Sequence, residues 1–244
     1  MLVMLPDYRA PAPTFDQSNL QLWLRAQDAE NASNAPASAG QAVARALNRG
    51  SINDYWTQTD AGRRWSFGAS PARFVGPASG LGYLTSPALS FSSQSQLTLV
   101  AVIQTPSAAM AGYTPLLFSR GIGINATGLH VDKNGGVGFT FNNASETWDW
   151  ASGLSIPASS RVLMAVSVNG ATGSATVYRI AAGGSIASAS RTFPTQTAFT
   201  ATPSFWAGYE SFNDRQLRSD FYEGLLFTAT RTQGQIEEIA AALL

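Results

Sequence analysis

Residues 142–150 read Asn-Asn-Ala-Ser-Glu-Thr-Trp-Asp-Trp, a short stretch that holds both aromatic rings and oxygen acceptors. Recognition of a sugar combines an aromatic platform for the apolar face of a pyranose with acceptors for its hydroxyls. Trp148 and Trp150 would supply the platform, and Asn143, Glu146 and Asp149 the acceptors. The competing reading is structural: two Trp residues spaced by two form one face of an ordinary strand packed on a core. Tyr55 and Trp56 make a second aromatic pair. For that pair a loop plug over the core is the plainer reading, and a ligand platform the sharper one.

The other candidate acids and bases are scattered. Asp28 and Glu30 share period-two spacing but lie where a strand runs into an Ala/Asn-rich loop, and Asp220 and Glu223 would point to opposite faces of a regular strand. Solvated surface charge is the expectation for these and for Glu146 and Asp149. His130, the one histidine, sits between Leu129 and Val131 and takes the opposite face of a strand. No Gly-x-Ser-x-Gly elbow supplies it with a nucleophile, so a structural or surface role is expected. Asp132-Lys133-Asn134 opens like an oxygen-rich loop, yet Asn143 stands where an EF-hand places its bidentate Glu, and a hairpin is the better reading. The absence of Cys removes thiol catalysis, Cys-based zinc sites and disulfides together. No metal, no cofactor and no catalytic residue is expected; only calcium held by backbone oxygens stays open.

The scaffold for these groups reads as β. Leu20, Leu22 and Leu24 alternate with polar or larger residues, and the runs 97–104, 116–119, 136–141 and 162–168 are separated by Gly, Pro, Asn and Ser. Asp132–Gly136, Asn169–Gly173 and Ala182–Gly184 are hairpin turns, with Asn-Gly supplying the positive φ at the second. Gln41–Leu47 reads as a short helix. Thr232-Gln-Gly-Gln235 has capping-box spacing ahead of Ile236, Ile239, Ala240 and Leu243 on one face, which predicts a helix over 232–243. Residues 1–19, with Pro6, Pro11 and Pro13, read as an extended arm whose apolar groups Leu2, Val3, Leu5, Tyr8 and Phe15 need a partner surface. Residues 20–244 form the domain.

The chain of 244 residues is long enough for one large core, and its 15 basic and 15 acidic groups leave no positive field for nucleic acid. No apolar run approaches the roughly 20 residues of a membrane span. Pro6 and Asp7 stop the apolar start short of an export signal, so none is expected.

Six segments bear a family likeness. Leu20-Gln-Leu-Trp-Leu-Arg-Ala26 matches an opening strand L-x-L-W-L-x-A, and Ile52-Asn-Asp-Tyr-Trp56 and Pro87-Ala-Leu-Ser-Phe91 follow in order. Ser204-Phe-Trp-Ala-Gly208, Phe221-Tyr-Glu-Gly-Leu-Leu-Phe227 and Gln235-Ile-Glu-Glu-Ile239 match a closing strand pair and helix. In these the chain resembles the concanavalin A-like, laminin-G-like jelly roll of the kind found in bacteriophage virion proteins. The resemblance implies an all-β fold, a two-sheet antiparallel jelly-roll sandwich with a short C-terminal helix. Glycosidases of this fold carry Glu-x-Asp-x-x-Glu on one strand face, a motif missing here. The resulting expectation is a non-enzymatic structural or adhesive component of a virion, docked by its arm on a capsid or other virion protein in a multicopy or homo-oligomeric assembly. A carbohydrate-binding module for host-surface glycan is the alternative, and a glycan hydrolase the third reading.

Overall fold

The computed structural model describes residues 14–77, 79–89, 94–120, 126–196, 198–199, 204–209 and 215–244. Of the expected features, Leu2, Val3, Leu5, Tyr8, Ser90 and Phe91 lie outside these residues.

Among the described residues the chain folds as an antiparallel β-sandwich of two eight-stranded sheets. The first sheet runs β14 (Ala187–Thr192), β13 (Ser174–Ala181), β12 (Arg161–Asn169), β8 (Gln96–Gln104), β16 (Asp220–Phe227), β6 (Ala72–Val75) and β5 (Ser66–Ala69). Its eighth strand, β1 (Leu20–Arg25), takes the part of the β16 edge that β6 leaves open. The second sheet runs β11 (Val137–Thr140), β10 (Ala126–Val131), β9 (Pro115–Arg120), β15 (Trp206–Tyr209), β7 (Gly82–Thr85), β4 (Tyr55–Thr57), β3 (Arg45–Leu47) and β2 (Ala29–Glu30).

Strand β8 shows why the sequence gives this layering. Leu97, Leu99, Ala101 and Ile103 face the core between the sheets, while Val100 and Val102 face outward. The run is apolar on both faces because the outward one is also covered. Its cover is α2 (Gln233–Leu243), which lays Ile236, Ile239, Ala240 and Leu243 on Val100, Val102, Leu163 and Leu225. The expected capping box starts this helix: the Thr232 N–H donates to Gln235 Oε1 at 3.0 Å, and the Gln235 N–H returns to Thr232 Oγ1 at 3.4 Å. The three expected hairpins join β10 to β11, β12 to β13 and β13 to β14.

Two local expectations fail. Residues 41–47 are not helical. The Val43 N–H donates to the Trp65 carbonyl at 2.8 Å, and β3 pairs on both sides, with β2 and β4. Ladder bonds and the burial of Val43 and Ala46 override the helix preference of an Ala-rich segment. Strand β16 is not regular either: Phe221 pairs with Ile103 and Glu223 with Val102, so Tyr222 is an extra residue. This bulge turns Glu223 onto the same outward face as Asp220.

The start of the described chain is tied to the sandwich. The Phe15 ring lies 5.3 Å from Trp23 and 6.5 Å from Phe227, and Arg231 Nη1 meets Asp16 Oδ2 at 2.6 Å. Arg231 also donates to the Ser18 carbonyl. Phe15 therefore has a home in its own chain, contrary to the expectation that it needs a partner surface.

Candidate functional site

The outward face of the second sheet carries a cleft of about 210 Å³. Its floor comes from three strands: Phe118 on β9, His130 on β10 and Thr140 on β11, with Tyr209 at the end of β15. Gly128 makes the floor possible, since it lies beside Phe118 on this face and a Cβ there would stand 2.4 Å from the Phe118 ring. The rings of Phe118 and Tyr209 meet edge to face at 5.8 Å, and His130 sits 6.4 Å from Phe118. His130 alternates with the core residue Leu129, as its position in the strand requires. Its Nδ1 donates to the Val131 carbonyl at 2.8 Å. Burial holds its pKa below 6.5, and the positive charge of Arg215 pushes in the same direction.

The rim is built by loops. Tyr113, at φ +60°, places its ring 6.2 Å from Trp148 and 6.3 Å from His130. The Arg215 guanidinium also lines the cleft, over the Tyr113 ring at 5.4 Å from its centroid. Asn143, at φ +57°, and Trp148 complete the wall. Trp148 is the exposed large apolar side chain of the described surface, at 38%. A single helical turn, α1 (Ser145–Trp148), presents it. Buried Thr147 fixes that turn, accepting from the Phe141 N–H at 3.1 Å and donating to the Ala144 carbonyl at 2.7 Å. The next turn is fixed from the β10–β11 hairpin, where Lys133 Nζ meets Asp149 Oδ1 at 2.9 Å.

The residues expected from the sequence divide. Asn143 and Trp148 come together at the cleft. Trp150 turns the other way and meets Phe139 edge to face at 5.9 Å against the inter-sheet core, so the two Trp residues share neither a platform nor a strand face. Glu146 accepts from Ser145 Oγ at 3.2 Å, and Asp149 is engaged by Lys133; neither lines the cleft. Trp56 is fully buried in the core, and Tyr55 on β4 carries Arg45 over its ring at 4.1 Å, away from the cleft. Asp132 opens a hairpin, as expected, and its carboxylate accepts from the N–H groups of Asn134, Gly136 and Ser152 at 2.8–2.9 Å. Among the described residues no group of three or more His, Asp or Glu could hold a metal ion.

Two acids expected to be solvated are buried instead. Asp28 receives Arg49 through both oxygens, at 2.5 and 2.9 Å. Glu223 accepts from Trp23 Nε1 at 2.8 Å, and burial pushes its carboxyl up to about 8. Sequence reasoning also missed Tyr113, Phe118, His130, Tyr209 and Arg215 as cleft residues. For Phe118 and His130 the available signal was a ring at a strand position next to the core residues Leu117 and Leu129, where an outward face would ordinarily be polar; Tyr113, Tyr209 and Arg215 gave none.

No family model and no curated protein matches the chain. Solved structures do. A mutant GH54 α-L-arabinofuranosidase soaked with 4-nitrophenyl α-L-arabinofuranoside superposes with a TM-score of 0.62 and 12% identity, over 95% of this chain. This chain spans 61% of that enzyme's length. Domain 4 of AbnA, a GH43 extracellular arabinanase from Geobacillus stearothermophilus in complex with arabinotriose, matches at a TM-score of 0.56 and 17% identity over 91% of this chain and 99% of that one. Trypanosoma rangeli sialidase with 2,3-difluorosialic acid gives 0.54 and 14%, over 93% of this chain and 34% of that one.

The likeness is one of fold: a β-sandwich. It overturns the expected non-enzymatic virion component, because the matched structures named above are glycosidases or a domain of one. The expectation of no enzymatic role goes with it. That expectation rested on a missing linear motif, and a sandwich can gather carboxyl groups from different strands without one.

Proposed function

We propose that the chain recognises a glycan through the cleft on its second sheet. The observation that carries this reading is the convergence of Tyr113, Phe118, Trp148 and Tyr209 with Asn143 and Thr140 in one concavity. Rings that offer a face or edge to a pyranose, set beside a few polar groups, form the ordinary composition of a sugar site. Its volume of about 210 Å³ is below the roughly 300–1,000 Å³ of pockets for drug-sized ligands and suits one sugar ring, with the rest of the chain outside. The ligands of the matched structures, an arabinofuranoside, arabinotriose and 2,3-difluorosialic acid, support the same class. The opening and closing strand motifs, set in two antiparallel sheets, also support an assignment to the concanavalin A-like jelly rolls.

Titration calorimetry against a panel of neutral and acidic oligosaccharides, arabinotriose included, tests the reading. Trp148→Ala and Tyr113→Ala should each lower affinity by about tenfold or more, as loss of a central aromatic anchor does. Full affinity in both variants places binding elsewhere. Reducing-end release measured in the same mixtures decides whether a bound glycan is also cut.

A further inference from the structure

We propose that strand β14 is the interface for a second copy of this chain, the two β14 strands pairing antiparallel about a two-fold axis at Ser190. The Phe193 N–H donates to the Gly173 carbonyl at 2.8 Å, and from there the β13–β14 register runs unbroken to Arg179 and Ala187. Backbone groups alternate in direction along a strand, so Ala187, Ala189 and Arg191 face β13, while the N–H and C=O of Ser188, Ser190 and Thr192 point away from it. These three residues are exposed, and among the described residues no backbone group bonds to them on that side. The strands at the other sheet edges are covered by chain. The Gly40 N–H donates to the Phe67 carbonyl of β5 at 2.8 Å, and the Arg49 N–H to the Trp23 carbonyl of β1 at 2.9 Å. The Ala37 N–H donates to the Ala29 carbonyl of β2 at 2.9 Å, and on β11 the Val137 N–H donates to the Leu154 carbonyl at 3.0 Å.

An uncovered edge is ordinarily blunted by charge, Pro or a bulge. Residues 187–192 hold no Pro and no bulge, and their one charged side chain, Arg191, donates from Nε to the Glu146 carbonyl at 3.2 Å. Two-fold pairing sets Ser190 opposite Ser190 and Ser188 opposite Thr192. Every outward N–H then meets an outward C=O, in about six backbone hydrogen bonds, two at each facing pair. No like charges oppose one another, and Ser190 Oγ, already 2.9 Å from Thr176 Oγ1, carries that hydroxyl pair across the junction. A foreign peptide added at an edge gains its specificity from pockets for alternate side chains. The exposed side chains along β14 are Ser and Thr hydroxyls, which favours an identical strand. Such a pair is isologous and joins the first sheets of two copies into one continuous sheet.

The test is the mass of the full chain in solution, by sedimentation from about 1 to about 500 µM, the range in which a small interface dissociates. The unmodified protein should reach the mass of a dimer within it. Amide exchange at Ser188, Ser190 and Thr192 should slow as concentration rises, while Ala187, Ala189 and Arg191 stay protected throughout. Ser190→Pro removes the central N–H at a position where an edge strand tolerates Pro, and Ser190→Lys sets like charges opposite one another. Each should weaken association by about tenfold or more and leave the thermal midpoint of the dilute protein nearly unchanged. Should Ser190→Pro fail to fold, Ser190→Lys carries the comparison. An unmodified protein that stays monomeric over the whole range overturns the proposal and leaves the edge to a strand from a different protein. Dimerisation that survives in the folded variants, or that leaves exchange at Ser188, Ser190 and Thr192 unchanged, overturns it by placing the interface elsewhere.

Discussion

Replacing Glu223 by Gln tests the buried acid beneath the outer layer of the sandwich. Glu223 is 6% exposed, its carboxyl accepts from Trp23 Nε1 at 2.8 Å, and it lies on the outward face of β16 because of the bulge at Tyr222. Burial is the largest cause of its raised pKa; the Trp23 bond and the charge of Arg25 pull the other way without overcoming it. The folded protein therefore keeps the proton up to about pH 8, while the unfolded chain releases it near 4.5. Between those values the native state binds more protons than the unfolded state, so this group's contribution to stability is full below about 4.5 and is lost as pH rises to 8. At about 1.4 kcal/mol per pH unit, the loss has a ceiling of about 5 kcal/mol. Gln has the shape of the protonated acid, and its carbonyl can still accept from Trp23. The variant should match the unmodified protein near pH 5 and exceed it by several kcal/mol at pH 8. Urea unfolding at pH 5, 6.5 and 8 measures this, and the difference between the two proteins cancels the opposite pH trend of His130. Parallel stability profiles across that range would refute the reasoning.

Other perturbations test the elements that hold the cleft. Asp132→Ala strips the partner from the N–H groups of Asn134, Gly136 and Ser152 and should cost about 3 kcal/mol or more, with faster amide hydrogen exchange at those three residues. Gly208→Ala sets a side chain at φ +85° with its Cβ 2.6 Å from the Gly82 carbonyl oxygen, so the thermal midpoint should fall by an amount matching about 2 kcal/mol or more. Trp148→Ala removes a ring that is 38% exposed and should change unfolding free energy by under about 1 kcal/mol, while glycan affinity drops.

The local grammar of the chain was legible without a structure. Period-two alternation from Leu20 to Leu24, the turn at Asn169–Gly173 and the capping box at Thr232 each depend on residues within a few positions of one another. Such signals specify strands, turns and caps because the hydrogen bonds that make them are themselves local. The segment 41–47 shows the limit: its Ala-rich spacing suits a helix, and only the strands that flank it decide otherwise. Trp148 and Trp150 show it again, since one turn of helix sends the first to the cleft and the second to the core.

The cleft itself belongs to tertiary structure. Tyr113, His130, Trp148, Tyr209 and Arg215 come from segments spread over about a hundred residues, and only the order of strands in the second sheet makes them neighbours. The burial of Asp28 and Glu223 is of the same kind. Nothing within a few positions of either residue says that Arg49 will reach the first or that Trp23 will cover the second. Sequence spacing fixes which side of a strand a residue occupies, whereas what lies against that side is decided by elements that arrive from elsewhere in the chain. A single inserted residue such as Tyr222 can change even the side.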